Sequence, residues 1–255
     1  MAELRIQFDP CNAAQFYACC GLIELAEIAR KPTSSQFVVD GKRPRQGDFI
    51  LTTETELNLQ MVVDGIRQAE YRPLSRSVAE NPPSKDSIAP VSVTISGENL
   101  ILDWWLDEFH SKATPFKCWA GQVTTQKLFL ELPKLLPSEN PSFSTGAFTS
   151  TRFGVDPRSA WVALDLGYSP NEQGQESQTY PVVELLAAFG LQGFRPAGRR
   201  ANGFEYHLWF SPLPCMAARI ASARPWQGLR TAEYKFNLGE RGSYKVFCFS
   251  TLISS

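Results

Sequence analysis

Residues suited to proton transfer are few in this chain, because its 255 residues include two histidines, His110 and His207. His110 lies in the stretch DEFHSK, where it is a candidate general base and a solvent-exposed loop position is the alternative. His207 lies inside the aromatic run FEYHLWF, which is typical of a half-buried structural histidine. The carboxylates Asp103, Asp107 and Glu108 could hold Mg²⁺, but no DxD, HD or Walker pattern accompanies them. We therefore predict no catalytic residues, no metal site and no cofactor, and we do not expect an enzyme.

The cysteines favour reduced thiols over a zinc site or a disulfide framework. The adjacent pair Cys19 and Cys20 would point about 100° apart on a helix, which does not suit two ligands of one metal ion. The N-terminus has no basic and apolar leader, and no apolar run approaches the roughly 20 residues that cross a bilayer. We expect a cytoplasmic protein that does not associate with membranes. The six cysteines, which show no repeated spacing, are Cys11, Cys19, Cys20, Cys118, Cys215 and Cys248.

Binding features are better represented than catalytic ones. The stretch KCWAGQ places a cation, an indole and an amide close together at Lys117, Trp119 and Gln122. This combination suits stacking on a base or contact with a nucleic-acid backbone. The alternative for Trp119 is an anchor in the hydrophobic core.

A second candidate is the stretch GLQGFRPAGRRANG, which combines glycines with Arg195, Arg199, Arg200 and Asn202. No helix follows GRRANG, so it is not a glycine-rich phosphate loop, and its value lies in exposed cations. A solvated charged loop is the competing interpretation. We predict that these four residues bind nucleic acid.

The stretch RFGVDPRSAWVALDLGYSPN, residues 152–171, holds an apolar run between two turns. Asp-Pro-Arg opens the first turn, and the run from Trp161 to Leu166 is typical of a buried strand or helix. Arg152 and Arg158 are candidates for a phosphate or for an internal carboxylate.

The elements that must position these residues alternate irregularly along the chain. A strand is followed by a helix with Asn12 as N-cap and Gln15 at the capping-box position, and Glu24 falls on its polar face. Two strands joined by the basic GKRPRQG come next, and residues 72–90 are expected to form a long surface loop. The stretch VSVTISGENLILDWWLDE then alternates on both sides of Gly97, which predicts a β-hairpin. We predict one domain over 1–255 and an α+β fold, with mixed or antiparallel sheets, packed helices and ferredoxin-like elements as an option.

Charge is distributed unevenly behind a net charge of −1. Residues 1–192 carry 16 Lys/Arg and 23 Asp/Glu, whereas residues 193–255 carry nine and three. A basic C-terminal quarter suits a polyanion, an acidic partner subunit or the acidic remainder of the chain.

Four blocks together resemble one protein family. They are FDPCNAAQFYACCGLIELAE, FKCWAGQ, RFGVDPRSAWVALDLGYSPNEQ and YPVVELLAAFGLQGFRP, and they span most of the chain. They resemble the third Csb family of type I-G (formerly I-U) CRISPR-associated proteins, which is treated as a short version of the type I large subunit.

The resemblance implies a non-catalytic subunit of Cascade, the crRNA-guided surveillance ribonucleoprotein of antiviral defence. Its partners would be crRNA, target double-stranded DNA near the protospacer-adjacent motif, the backbone and guide 5′-end subunits, and a recruited helicase-nuclease. Cationic loops for phosphates and amides for base edges agree with that role. The alternatives are a metal-independent RNA-cleaving protein that processes crRNA through His110 or His207, and a purely structural Cascade subunit.

Overall fold

The computed structural model describes residues 1–28, 33–74, 88–159, 177–241 and 244–254. Helices and antiparallel strands occur together, which confirms the predicted α+β class. The helices are α1 (Ala13–Ile28), α2 (Leu59–Gln68), α3 (Thr125–Glu131), α4 (Pro181–Gly193) and α5 (Cys215–Ala223), with 3₁₀ turns at Leu132–Leu135 and Pro157–Ser159. The strands are β1 (Ala2–Phe8), β2 (Thr33–Val39), β3 (Gly47–Thr53), β4 (Glu70–Pro73), β5 (Val91–Ile95), β6 (Glu98–Leu102), β7 (Ala147–Thr149), β8 (Ser177–Thr179), β9 (Ala197–Arg199), β10 (Gly203–Trp209), β11 (Thr231–Phe236), β12 (Leu238–Arg241), β13 (Tyr244–Phe247) and β14 (Thr251–Ser254).

Two of the sheets position the candidate residues. The N-terminal sheet has the order β1-β3-β2, and the C-terminal sheet has the order β14-β11-β10-β9. The remaining strands form the sheet β4-β5-β6 and the ribbons β7-β8 and β12-β13, and every pairing is antiparallel.

The first elements follow the order of a ferredoxin-like fold, but the strands do not pair as they do in that fold. The sequence β1-α1-β2-β3-α2-β4 has the βαββαβ order of that fold. However, β4 pairs with β5, so β1 remains an edge strand of a three-stranded sheet. The hairpin predicted around Gly97 is confirmed, because β5 and β6 meet at a turn in which Ser96 and Gly97 both have positive φ.

Helices α1 and α4 pack backbone to backbone in the centre of the molecule. A Cβ atom at Gly21 would lie 2.0 Å from the Leu186 carbonyl oxygen, and one at Gly190 would lie 1.9 Å from that of Tyr17. Glycine is therefore required at both positions for the helices to approach this closely. Side chains from the acidic and the basic parts of the sequence join one hydrophobic cluster around this pair.

The prediction that α1 is amphipathic is wrong. Residues 13–24 of this helix are buried on all sides, and Glu24 is buried in an ion pair with Arg219 at 2.6 Å. The predicted N-cap is confirmed, since Asn12 Oδ1 accepts the Gln15 N–H at 3.3 Å. The Gln15 side chain reaches back to the N–H of Asp9, at 2.7 Å, rather than to that of Asn12.

Two predicted segments fall partly outside the described residues. In the predicted surface loop 72–90, residues 72 and 73 belong to β4, residues 75–87 lie outside the described part, and Ile88 accepts a hydrogen bond from Trp105 Nε1 at 3.0 Å. The apolar run and second turn of the 152–171 stretch lie beyond residue 159, and that prediction is outside the described residues as well.

Candidate nucleic-acid interface

The turn between β9 and β10 displays three of the predicted binding residues. Gly198 and Gly203 both have positive φ, and a Cβ at Gly198 would lie 2.5 Å from the Gly203 carbonyl oxygen, so glycine closes a tight turn. The Asn202 N–H donates to the Arg199 carbonyl at 2.9 Å, and the side chains of Arg199, Arg200 and Asn202 are exposed. Residues 195–203 are called the cationic hairpin below.

The arginines of the cationic hairpin have weak intramolecular partners. Arg200 Nη2 lies 3.1 Å from Glu240 Oε1, with 56% and 76% of the two side chains exposed. Arg199 has no ion pair with any described residue. Exposed pairs of this kind contribute little to stability and exchange readily for another anion. The cations are therefore available to a ligand.

Arg195 precedes β9 and belongs to a cluster around Asp103. Asp103 Oδ1 accepts from Gln192 Nε2 at 2.9 Å and from Arg195 Nη2 at 3.3 Å, and its Oδ2 lies 3.0 Å from His110 Nε2. His110 has a φ of 53°, in the left-handed region. Asp103 is therefore occupied by hydrogen-bond donors and orients the imidazole of His110.

The neighbouring carboxylate Asp107 has a local role. Its oxygens accept hydrogen bonds from the Ser111 hydroxyl and from the N–H groups of Ser111 and Lys112, and these bonds lower its pKa, the Ser111 side chain contributing most. It thereby closes the turn that carries His110. Among the described residues, no group of three His, Cys, Asp or Glu side chains could hold a metal ion.

Trp119 lies in the core and not at the surface. Its side chain is 4% exposed and makes edge-to-face contacts with Trp105 and Phe153, each at 5.7 Å between ring centroids. Burial denies its ring face to a nucleic-acid base, so the stacking role predicted for Trp119 is not available and the core-anchor alternative describes it.

The flanking residues of Trp119 are more accessible. Lys117 Nζ donates to the Trp119 carbonyl at 2.6 Å and lies 5.2 Å from the indole centroid, and partial burial lowers its pKa. Gln122 is exposed. Phe116 packs on Phe204 of β10 at 4.6 Å, which brings this loop beside the strand that follows the cationic hairpin.

Arg158 binds an internal carboxylate. Its Nη2 lies 2.6 Å from Asp156 Oδ2 and its Nε lies 3.0 Å from Asp156 Oδ1, while its guanidinium covers the Tyr180 ring at 3.5 Å. Asp156 is fully buried and also accepts from Asn12 Nδ2 at 3.1 Å. The aspartate therefore joins the start of α1 to the 152–159 segment.

Glu184, in the first turn of α4, completes this arrangement. It is fully buried, and its two carboxylate oxygens accept the N–H groups of Gly154 and Asp156 at 2.9 and 3.1 Å. Burial raises its pKa to about 7, although nearby Arg152 opposes the shift. Arg152 also donates to the Gln178 carbonyl at 3.4 Å. Asn12, Asp156, Arg158 and Glu184 are called the carboxylate network below.

The carboxylate network was missed as a unit at the sequence level. The available signal was one acidic residue in the apolar run PVVELLAAFG, because a charge in a helix that is otherwise apolar needs a buried partner. His207 is half-buried on β10 with Nδ1 at 3.3 Å from the Ser222 carbonyl, which confirms its structural position.

Comparison of the chain with models of protein families, with curated proteins and with solved structures found no match. Within the described ranges, no helix has the length and apolar character needed to cross a membrane. All six cysteines are free thiols. The function must therefore be inferred from the residues of this chain and their arrangement.

Proposed function

We propose that this chain is a non-catalytic subunit of a type I-G Cascade complex and that it binds target duplex DNA through the cationic hairpin. The observation that carries the proposal is the exposed turn at Arg199, Arg200 and Asn202, whose cations have weak partners or none among the described residues. The four sequence blocks that resemble the third Csb family supply the biological setting.

The chemistry of the cationic hairpin suits a duplex. Guanidinium groups bind phosphate oxygens in a bidentate manner and release condensed counterions from the DNA. Asn202 carries an amide that can pair with a base edge, as adenine recognition in the major groove requires. Lys117 and Gln122 would extend this contact from the loop beside β10. The DNA bound in this way would be the duplex near the protospacer-adjacent motif.

The partners that follow from this role are crRNA, the backbone and guide 5′-end subunits, target DNA and a recruited helicase-nuclease. Sequence would be read by guide pairing, and this subunit would hold the duplex by its backbone and shape. The complex would work in the cytoplasm, where free thiols stay reduced.

Co-purification tests the subunit assignment. An affinity-tagged chain, expressed in cells that carry a type I-G system, is expected to recover crRNA and the other Cascade subunits. An untagged chain expressed in the same way is the control. Recovery of the chain alone, free of RNA and of Cascade proteins, would contradict the assignment.

The Asp103–His110 pair favours a second candidate, metal-independent RNA cleavage. An imidazole oriented by a carboxylate can take the proton of a ribose 2′-hydroxyl, and Arg195 lies on the same carboxylate. Incubation of the pure protein with repeat RNA in EDTA separates the two candidates. Cleavage that is lost in His110→Ala and kept in His207→Ala would favour the enzyme, and intact RNA agrees with the non-catalytic subunit.

The third candidate is a purely structural subunit, which holds its neighbours together and makes no contact with DNA. It predicts that a complex assembled with altered hairpin arginines binds DNA as the wild type does. The DNA-binding measurement that closes the Discussion separates it from the proposal.

A further inference from the structure

A polar cleft of about 770 Å³ opens beside β1, and no residue of the cationic hairpin lines it. Arg5–Phe8 form one wall, and Pro141–Ser144 together with Arg158 form part of the other. Binding sites for small molecules occupy roughly 300–1,000 Å³, so the cleft can hold a ligand of nucleotide size.

The strand pairing explains why the cleft is open. In the βαββαβ order a fourth strand could lie beside β1, but here β4 pairs with β5. The edge of β1 therefore faces the cleft, and four consecutive residues of that strand line it. The sheet order has created a concave site next to an edge strand.

Three guanidinium groups reach the cleft from three separate segments. Arg5 lies on β1, Arg43 in the β2–β3 loop and Arg158 in the 3₁₀ turn. Gln7 and Ser142 add amide and hydroxyl donors. Arginines that converge from separate elements, with amides and hydroxyls among them, are suited to the oxygens of a phosphate group.

Acidic side chains in the lining and next to it compensate this positive charge. Asp48 lies 3.5 Å from Arg5, and Asp40 Oδ1 accepts the N–H of Lys42 at 2.9 Å. The Arg5 side chain is 58% exposed, so its pairing with Asp48 is weak and can be exchanged for a ligand oxygen. Glu3 also lies 3.4 Å from Arg5, and Asp156 pairs with Arg158 behind the lining. The carboxylates around the cleft therefore balance its arginines, and Arg5 and Arg43 are the two that can exchange weak partners for a ligand oxygen.

Arg158 is held in place before any ligand arrives. Asp156 engages its Nε and Nη2, the Phe143 carbonyl accepts from Nη2 at 2.9 Å, and Tyr180 stacks on its guanidinium. Among the described residues, no hydrogen-bond partner engages its Nη1. An arginine fixed on one edge and open on the other loses little conformational entropy when it binds an anion.

We propose that this cleft binds a phosphate ester, carried either by a free nucleotide or by a single nucleic-acid strand. Arg5, Arg43 and Arg158 contact the phosphate oxygens, and Gln7 and Ser142 add hydrogen bonds. The site is separate from the cationic hairpin and does not depend on the proposed duplex binding.

Isothermal titration calorimetry on the full-length chain tests the proposal with three probes. Adenosine 5′-monophosphate and a uridine hexanucleotide carry phosphate esters, whereas adenosine does not. At least one of the two phosphate probes is expected to bind, and adenosine is not expected to bind. Tighter binding of the monophosphate assigns the site to a nucleotide, and tighter binding of the hexanucleotide assigns it to a strand.

The double substitution Arg5→Glu with Arg43→Glu is expected to weaken the bound phosphate probe about tenfold or more, because it places negative charge beside the phosphate. Arg72→Glu with Lys127→Glu makes the same change in net charge at two exposed positions outside the cleft and serves as the matched control. Arg5 and Arg43 are exposed, so the cleft variant should fold as the wild type does. Far-UV circular dichroism checks that its secondary structure is retained. Arg43→Glu alone replaces the double variant if that fails to fold.

Three results would overturn the proposal. They are the absence of binding by both phosphate probes, unchanged affinity in the cleft variant, and an equal loss in the control variant of Arg72 and Lys127. The alanine variant of Arg195, Arg199 and Arg200 is expected to bind the monophosphate as the wild type does. A failure of the cleft site is thereby distinguishable from a failure of the cationic hairpin.

Discussion

The carboxylate network and the cationic hairpin both place arginines against carboxylates, and they differ in burial. In the network, Arg158 and fully buried Asp156 are 2.6 Å apart, with 22% of the arginine side chain exposed. In the hairpin, Arg200 and Glu240 are 3.1 Å apart, and more than half of each side chain is exposed. The same chemical pair therefore stabilises the fold in one region, where Arg158 keeps its Nη1 for a ligand, and can exchange its partner for a ligand in the other.

The physical reason lies in desolvation. A buried carboxylate that loses its partner stays charged in a medium that solvates it poorly, so removing one member of a buried pair is costly. An exposed carboxylate that loses its partner is solvated by water instead. The residue types are alike in the two regions, so the exposure of the ion pair decides whether it stabilises the fold or can exchange its partner for a ligand.

The largest expected effect is on stability when Arg158 is replaced. Arg158→Ala is expected to lower the free energy of unfolding by about 3–5 kcal/mol, because Asp156 is left buried and unpaired. Urea denaturation followed by circular dichroism measures this difference. Arg158→Lys, which keeps the charge and loses the bidentate fork, is expected to fall between the wild type and the alanine variant. If Arg158→Ala lowers the free energy of unfolding by less than about 1 kcal/mol, the Arg158–Asp156 pair contributes no more than an exposed ion pair does, which would contradict the prediction.

A smaller effect is expected from the pH dependence of stability. Glu184 has a pKa of about 7 in the folded chain, raised by burial from its ordinary value of 4.5. The folded state then holds a proton that the unfolded state has released, so the free energy of unfolding falls as pH rises between these values, by at most about 1.4 kcal/mol per unit.

The substitution Glu184→Gln isolates this dependence. The difference in free energy of unfolding between wild type and variant should decline from pH 4.5 to 7 and level off above pH 8, in denaturation series at matched salt. A difference that stays constant, or that grows with pH, would show that the pKa of Glu184 is not raised in the folded chain.

The smallest stability effect is expected in the hairpin. Arg200→Ala should change the free energy of unfolding by about 0.5 kcal/mol or less, because both members of its ion pair are exposed. The urea measurement used for Arg158 applies, with both variants prepared side by side. A loss as large as that of Arg158→Ala would remove the distinction between the two regions.

The sequence predicted the local elements well wherever the pattern itself determines structure. The α+β class, the N-cap at Asn12 and the turn at Gly97 depend on nearby residues, and the structure contains them. Helix α1 shows the limit. Its acidic residue Glu24 indicated a solvent face, but Arg219, 195 positions away, pairs with it in the interior. The local periodicity of the sequence does not show a partner that is distant along the chain.

The candidate site divides in the same way. Exposure of Arg199, Arg200 and Asn202 follows from a glycine-bounded turn, which the sequence displays. Burial of Trp119 depends on Trp105 and Phe153, which reach it from other parts of the chain. Side chains assembled from distant segments therefore could not be assigned from spacing.

Binding of duplex DNA by the assembled complex, measured across a salt series, tests the central claim most directly. Replacement of Arg195, Arg199 and Arg200 by Ala is expected to weaken binding by tenfold or more at physiological salt. It is also expected to make the negative slope of log K against log salt less steep, by up to about 3. The control complex carries alanine at three exposed cations elsewhere, Arg72, Lys127 and Lys134. Unchanged affinity and slope in a properly assembled hairpin variant, or an equal loss in the control, would contradict the account.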